Sequence, residues 1–459
     1  MSDADRLQEI LACPRCDHAP LEASQSGLRC NGCKTRFPSI AGIPWLFAEP
    51  DAALGEWRNR LHFDLQRLSH NSQRLKAELN EGKHLPQTEK RLTLLLQATD
   101  QHRQDLQQLL APVDVQSMHA GYHTHLALRT RLPRDQGLQT YYANVHRDWS
   151  WGDDENASSL NEIGQVLREG NRGEKPGHTL VLGGGAGRLA YDIHMSLCAS
   201  STVVMDFNPL LLLVADAVTR GKRLRLHEFP IAPRTADDVA VLRQLAAPAP
   251  VREGFFLVLG DALRAPFRPG SFDTVVTPWL IDIVTEDLPV LAARINRLLK
   301  DGGRWINFGS LAFDHLSYAR RYGPEETSEI VARAGFARPA VREETIPYMC
   351  SPASRHGRQE RVFTFAAAKA ADASQPPRHR SLPDWIVTGT EAVPSTPSFQ
   401  SQALSTRIYS YVMSLIDGRR SIEDMALIME QQKLMSRSEA VPAIRNFLTR
   451  MYDDSQRQA

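Results

Sequence analysis

A run with the composition of a strand, His178-Thr-Leu-Val-Leu182, leads directly into Gly183-Gly-Gly-Ala-Gly-Arg-Leu-Ala190, and a second apolar run, Thr202-Val-Val-Met205, ends in Asp206. Glycines let a backbone approach a ligand closely, and a helix that starts there offers unpaired N–H groups. A carboxylate about twenty residues further on can accept hydrogen bonds from ribose hydroxyls. Together they predict an adenosine-containing cofactor, with a dinucleotide and S-adenosylmethionine (SAM) both open. The alternative is a plain glycine turn at a strand end.

A second group is built from cysteine. Cys13 and Cys16 form Cys-Pro-Arg-Cys, Cys30 and Cys33 form Cys-Asn-Gly-Cys, and Cys198 and Cys350 stand apart. Two close pairs can surround a tetrahedral ion. Four thiolates fill a tetrahedral coordination sphere, so a structural zinc ion is expected, and two disulfides are the alternative. The pairs followed by Phe37-Pro-Ser-Ile-Ala-Gly-Ile-Pro-Trp-Leu-Phe47 resemble the Trm112-like zinc ribbon, which implies a partner or appendage of a methyltransferase.

The 459 residues, 42% hydrophobic and 23% charged, predict a globular protein of two or three units. A formal charge of +1 gives no general electrostatic reason for a nucleic-acid partner. No apolar run is long enough to cross a bilayer, and the polar amino terminus lacks secretory features, so a cytoplasmic protein without a membrane partner is expected.

The elements that must position these residues alternate. Further strands are predicted at Phe255–Leu259, Phe272–Val276 and Trp305–Phe308, with helical patterns between most of them. That order implies an α/β fold with an open, mostly parallel sheet whose ligands lie beyond the carboxyl ends of the strands. Pro324–Ala334 reads as a helix, followed by two strands, Ala340–Ile346 and Arg361–Ala366, that pair last. Between ribbon and sheet, Leu61, Leu65 and Leu68, and later Leu92, Leu95 and Leu96, mark helices packed on a larger body, separated at Pro86.

Residues 135–369 resemble the carnosine N-methyltransferase family, most specifically in Asn144-Val-His-Arg-Asp-Trp149, Val181–Ala190, Phe272–Asp282 and Gly302–Gly309. The resemblance implies a Rossmann-like class I methyltransferase that uses SAM, releases S-adenosylhomocysteine and methylates an imidazole nitrogen of a histidine-containing dipeptide. It implies cofactor contacts at Asn144, Arg147, Gly183, Gly184, Gly185, Gly187 and Arg188, and also at Asp206, Asn208, Asp261, Ala262 and Thr277. Arg147 would pair with the cofactor carboxylate, Asp206 with ribose and Asp261 with the adenine amino group. Asp282 and His315 are the implied catalytic pair, holding the imidazole so that one ring nitrogen stays unprotonated and aimed at the methyl group. Their alternative roles are a helix N-cap for Asp282 and a turn histidine for His315.

The chain departs from the family in three places. Asn144 stands where glutamine is usual, and Asp206 where glutamate is usual. His356-Gly-Arg-Gln-Glu-Arg361 stands where a tyrosine cluster is expected, which leaves another histidine derivative or a peptide histidine open as acceptor. Residues 370–400, rich in Ala, Ser and Pro, read as a linker. Residues 401–459 regain helical periodicity at Ile408, Val412, Leu415 and Ile416, and weakly resemble the PqqD-like winged helix, which implies a peptide or protein partner.

The expected organisation is a zinc ribbon (1–50), a helical region (51–134), a methyltransferase domain (135–369), the linker (370–400) and a small helical or winged-helix domain (401–459). Its expected activity is SAM-dependent methylation of an imidazole nitrogen in a small molecule or peptide. The alternatives are a methyltransferase for another metabolite and a SAM-binding adaptor for peptide or RNA.

Overall fold

The computed structural model describes residues 3–25, 27–115, 138–169, 175–315, 317–378, 385–386 and 389–458. Leu316, the expected boundary at 134/135 and part of the 370–400 linker lie outside them. The chain divides into two compact units, Met1–Arg380 and Ser381–Ala459.

In the first unit, α1 (Asp3–Ile10) precedes four short strands, β1 (Leu21–Ser24), β2 (Gly27–Cys30), β3 (Arg36–Ile40) and β4 (Ile43–Leu46). Two long helices follow, α2 (Pro50–Asn80) and α3 (Pro86–Leu109), each with proline in its first turn. Then come α4 (Leu138–His146), a π-helical turn at Arg147–Trp151 and α5 (Asp153–Glu169).

The alternating segment is β5 (His178–Leu182), α6 (Arg188–Ser196), β6 (Ser201–Asp206), α7 (Pro209–Thr219) and β9 (Phe255–Gly260). It continues through β10 (Phe272–Pro278), α8 (Leu288–Leu298), β11 (Leu299–Phe308) and α9 (Pro324–Arg333) to β12 (Ala340–Tyr348) and β13 (Arg358–Ala368). Between α7 and β9, an antiparallel hairpin of β7 (Leu224–Glu228) and β8 (Val241–Leu245) stands outside the main sheet.

That sheet runs β1-β2-β3-β4-β9-β6-β5-β10-β11-β13-β12. Strands β4, β9, β6, β5, β10 and β11 are parallel neighbours, and β13 and β12 close the far edge antiparallel, the expected Rossmann-like class I methyltransferase arrangement. Strand periodicity sorts the core into two layers. Val181 and Val204 face the layer built with α2, α4, α5 and α7, whereas Leu180, Leu182, Val203 and Met205 face α1, α8 and the ribbon.

The ribbon does not stand alone. Trp45 and Leu46 pair with Leu259 and Gly260, so its last strand extends the central sheet. Leu7, Leu11, Leu21 and Phe37 are buried in the same core as Met205 and Val258.

The second unit contains α10 (Pro397–Ser414), α11 (Ile422–Gln431) and α12 (Arg437–Gln458), packed around Val412, Leu415, Met425, Met429 and Ile444. Ser421 and Asp424 form a reciprocal capping box at the start of α11. Its described residues are helical and carry no strand, so a helical bundle stands where a winged helix was the alternative.

Candidate active site

The sheet order reverses between β5 and β10, and the loops leaving those two strands frame a cavity. Gly183, Gly184 and Gly185 form one wall. The N–H groups of Gly183 and Gly184 donate to the Met205 carbonyl at 2.9 and 3.1 Å, fastening the loop to the end of β6. Gly183, Gly185 and Gly187 have φ of 70°, 58° and 87°, which disfavours other residues. A Cβ on Gly184 would lie 2.3 Å from Val204 Cγ1, whereas one on Gly185 would meet nothing within 4 Å. Gly184 is thus required by packing, and Gly185 leaves open the space a ligand would use.

Asp206 is buried beneath this loop. It accepts from the Gly185 N–H at 2.8 Å and from the Asn208 N–H at 2.9 Å, one on each oxygen. Burial pushes its carboxyl up to about 6, against the pull of the Asn208, Gly185 and Phe207 amides. Asn208 lies behind the cavity wall, capping α7 through the Leu210 N–H at 3.0 Å. Gly260 and Ala262 reach the cavity from the end of β9, while Asp261 between them caps a short turn through the Leu263 N–H at 2.9 Å.

The π-helical turn supplies the opposite side. Asn144, Arg147 and Asp148 line the cavity, and the Arg147 Nε and Nη2 donate to Asp148 Oδ1 at 2.9 and 2.6 Å. Burial works against the Arg147 charge, but Asp148, with Tyr348 and Glu155, more than offsets it and raises its pKa. Trp149 donates to the Ala186 carbonyl at 2.8 Å, and Arg188 to the Asp148 carbonyl at 2.8 Å, tying the turn to the glycine loop. Arg188 and Gly187 therefore act behind the wall.

On the acceptor side, Trp279 takes φ of 51° as β10 ends and donates its N–H to Phe308 at 2.7 Å. Gly309 approaches so closely that a Cβ there would lie 2.9 Å from Trp279 Cα. This contact brings together the loops after β10 and β11. Ser310 Oγ at 2.5 Å and the Ala312 N–H at 2.9 Å both donate to Asp282 Oδ2. Asp282 Oδ1 is buried and has no hydrogen-bond partner among the described residues, in a carboxylate that lines the cavity. Asp282 caps no helix, because α8 begins only at Leu288.

Of the expected site residues, Thr277 and His315, like Gly187, Arg188, Asn208 and Asp261, are outside the cavity lining. Thr277 is fully buried between β10 and β11, where its hydroxyl accepts from Trp305 Nε1 at 2.9 Å and meets Asn307 Oδ1 at 3.1 Å. On a strand, successive side chains face opposite ways, and Thr277 faces the core. His315 is absent from the cavity lining and accepts the Ser317 N–H on Nδ1 at 2.9 Å, as a turn histidine does. Tyr141, Tyr348 and Ser310, which sequence reasoning did not select, line the cavity instead. Tyr348 packs on Trp279 with ring centroids 4.6 Å apart, and the Arg358 guanidinium stands 4.5 Å from its ring centroid.

Far below this cavity in the sequence, the four ribbon thiols converge, all within 4.8 Å of one another. The Cys13–Cys33 and Cys16–Cys30 sulfurs are 3.6 and 3.5 Å apart, and none is in a disulfide. A tetrahedral ion with bonds of about 2.3 Å would set its sulfurs about 3.8 Å apart, so the set fits a zinc-binding motif. The two knuckles repeat each other: Asp17 and Lys34 both have φ of 64°, and Cys13 and Cys30 donate to the carbonyls of His18 and Thr35.

The family profile described as Carnosine N-methyltransferase matches residues 135–355. A carnosine N-methyltransferase of Dictyostelium discoideum is 31% identical over 150 residues, covering 29% of this chain and 31% of that protein. The chain therefore spans about a third of the curated relative's length. Among solved structures, a phosphoethanolamine N-methyltransferase 2 of Haemonchus contortus has a TM-score of 0.32 at 16% identity, over 51% of this chain and 57% of that one. A possible histamine N-methyltransferase of Thermotoga maritima has a TM-score of 0.29 at 16% identity, over 50% and 94%. The sheet order, the glycine loop and the profile match agree: this chain carries a class I methyltransferase core related to the carnosine N-methyltransferase family.

Proposed function

We propose that the protein is a SAM-dependent N-methyltransferase that acts on an imidazole nitrogen of a histidine-containing small molecule or peptide. The open space at Gly185 and the buried Asp206 carboxylate suit the nucleoside part of SAM, and Arg147 suits its carboxylate. SAM bound there supplies a sulfonium methyl group and leaves as S-adenosylhomocysteine.

The observation that carries the acceptor assignment is Asp282. Ser310 and Ala312 occupy one oxygen and leave the other an orphaned acceptor in the same cavity as Gly185 and Asp206. A ring N–H donated to Oδ1 fixes the tautomer, so that the opposite nitrogen keeps its lone pair for attack. The carboxylate then balances the positive charge that grows on the ring. Asp282 takes this role without His315. The ribbon thiols hold a structural zinc ion in this reading.

Purified protein incubated with SAM, histidine, β-alanylhistidine, thiol-substituted histidines and histidine peptides tests it, with S-adenosylhomocysteine and acceptor mass followed together. One methyl group gained on an imidazole compound per S-adenosylhomocysteine released is expected. SAM binding with no methylated imidazole overturns the acceptor assignment.

A further inference from the structure

Acidic residues are common in the first turn of a helix, where they face solvent and complement the helix dipole. Glu155 stands in that position on α5 and yet is buried, 6% exposed, against the cavity that holds Asp206 and Asp282. Its two oxygens are divided between two backbone amides almost two hundred residues away: Oε2 accepts the Met349 N–H at 3.1 Å and Oε1 the Cys350 N–H at 2.8 Å. Two more carboxylates share its stripe. Glu155, Glu162 and Glu169 recur every seven residues, which keeps them on one side of a helix with 3.6 residues per turn. Glu162 and Glu169 both pair with Arg342 on β12, at 3.2 and 2.9 Å. Helix α5 thus grips the edge strand, and Glu155 takes hold of the chain just where that strand ends.

That end needs holding. The ladder between β12 and β13 closes at the pair Tyr348–Arg358. Met349, the next residue, has φ of 55°, a left-handed backbone that residues with a side chain rarely adopt and that persists only where surrounding contacts fix it. The far side of the same turn is fastened to the segment after β7, where the Arg234 N–H donates to the Ala353 carbonyl at 3.1 Å and the Arg355 N–H to that of Ala232 at 2.8 Å. On the near side the Met349 and Cys350 amides meet Glu155. Two donors call for two acceptors, which a carboxylate supplies and a carboxamide does not, because its nitrogen is itself a donor.

What the turn sets is the place of Tyr348. Its ring packs on Trp279 with centroids 4.6 Å apart, and Trp279 opens the loop that carries Asp282 three residues later. Resting on the imidazole reading above, we infer that Glu155 is a positioning residue for methyl transfer: by holding the turn after β12 it seats Tyr348 on Trp279, and so fixes the loop on which Asp282 orients the acceptor.

The test follows S-adenosylhomocysteine release with β-alanylhistidine and with a histidine-centred tripeptide as acceptors, in the wild type, Glu155→Gln and Glu155→Gln/Met349→Gly. SAM calorimetry and hydrogen exchange of the Met349 and Cys350 amides accompany it. In Glu155→Gln the two amides are expected to exchange at least about tenfold faster and kcat to fall about tenfold, with SAM affinity within a factor of about two. Glycine adopts the left-handed turn without help, so Met349→Gly in that background is expected to recover most of kcat. A carboxylate that serves only overall stability, or only the charge on Arg147, gives no such rescue. Unchanged kcat or exchange in folded Glu155→Gln, or a loss that follows SAM affinity and persists in the double variant, overturns the inference while the imidazole reading stands. SAM binding in the wild type with neither acceptor methylated overturns the imidazole reading, and this inference with it.

Discussion

Ser310 Oγ donates to Asp282 Oδ2 at 2.5 Å, and the Ala312 N–H joins it at 2.9 Å, so one carboxylate oxygen is fully engaged and the other faces the cavity alone. Asp282→Asn keeps this geometry but inverts its chemistry. The amide oxygen takes the place facing Ser310 and Ala312, and the NH2 group then meets a ring N–H with a second donor. We expect kcat/KM to fall about a hundredfold, with SAM affinity within a factor of about two. Ser310→Ala frees the carboxylate to rotate and is expected to cost about tenfold, a lost charge-assisted bond. Steady-state kinetics beside cofactor calorimetry separate the two effects, and a matched loss of SAM binding in Asp282→Asn would move Asp282 to the cofactor.

Gly184 and Gly185 are adjacent and answer to different demands. Alanine at Gly184 places a methyl 2.3 Å from Cγ1 of the fully buried Val204, so Gly184→Ala is expected to lose about 1–3 kcal/mol of stability through overpacking. Alanine at Gly185 meets no neighbour but must adopt φ of 58°, a strain of about 1–2 kcal/mol. Its methyl occupies the cofactor space, so SAM affinity is expected to fall at least about tenfold. Denaturant unfolding and calorimetry on both variants check the division, which fails if Gly185→Ala binds SAM like the wild type.

The sheet was legible because its strands carry near-continuous apolar runs and its helices a 3.6-residue period. The glycine loop was legible because three positive φ angles leave little choice but glycine. Asp282 was singled out by the family resemblance, within a segment that leaves the carboxyl end of a central strand. Thr277 could not be sorted by that logic, since its facing inward depends on the pairing of β10 with β11. His315 stands only five residues after Ser310, yet its ring accepts the Ser317 N–H and is absent from the cavity lining. Tyr141 on α4 and Tyr348 at the end of β12 are some two hundred residues apart in sequence, and only the tertiary fold brings them to one cavity. The joining of β4 to β9 was equally hidden, because a four-residue strand names no partner.

The ribbon and the segment after β9 share hydrogen bonds. Ala12 N–H donates to the Pro266 carbonyl at 2.8 Å, Arg268 N–H to Ile10 at 2.9 Å, and the Arg264 guanidinium to the Pro14 carbonyl inside the first cysteine knuckle. Each anchors the segment that follows Gly260 and Ala262. We expect one zinc ion per chain by elemental analysis, and expect chelation or Cys30→Ser to lower Tm by several degrees and weaken SAM binding. Complete unfolding is not expected, because Leu11, Leu21 and Phe37 remain buried against the sheet. Zinc-free protein with unchanged Tm and SAM affinity would show that apolar burial alone holds the ribbon.

Asp206 makes two pH trends run in opposite directions. Its folded-state carboxyl, pushed up to about 6 by burial, lies above the unfolded value of about 3.9. Between those values the folded state binds the extra proton, so this group's contribution to stability is present below about pH 4 and is lost as pH rises through 6. Ribose hydroxyls, by contrast, donate best to the ionised form. SAM affinity should therefore weaken as pH falls below about 6, approaching tenfold per pH unit, while SAM-free protein gains stability from this site over the same range. Asp206→Asn removes both trends and leaves weak, pH-independent binding. Calorimetric titration of SAM from pH 5 to 8, beside thermal unfolding of both proteins, decides the matter: a wild-type affinity flat across that range would mean that Asp206 holds the glycine loop through Gly185 and does not touch the ribose.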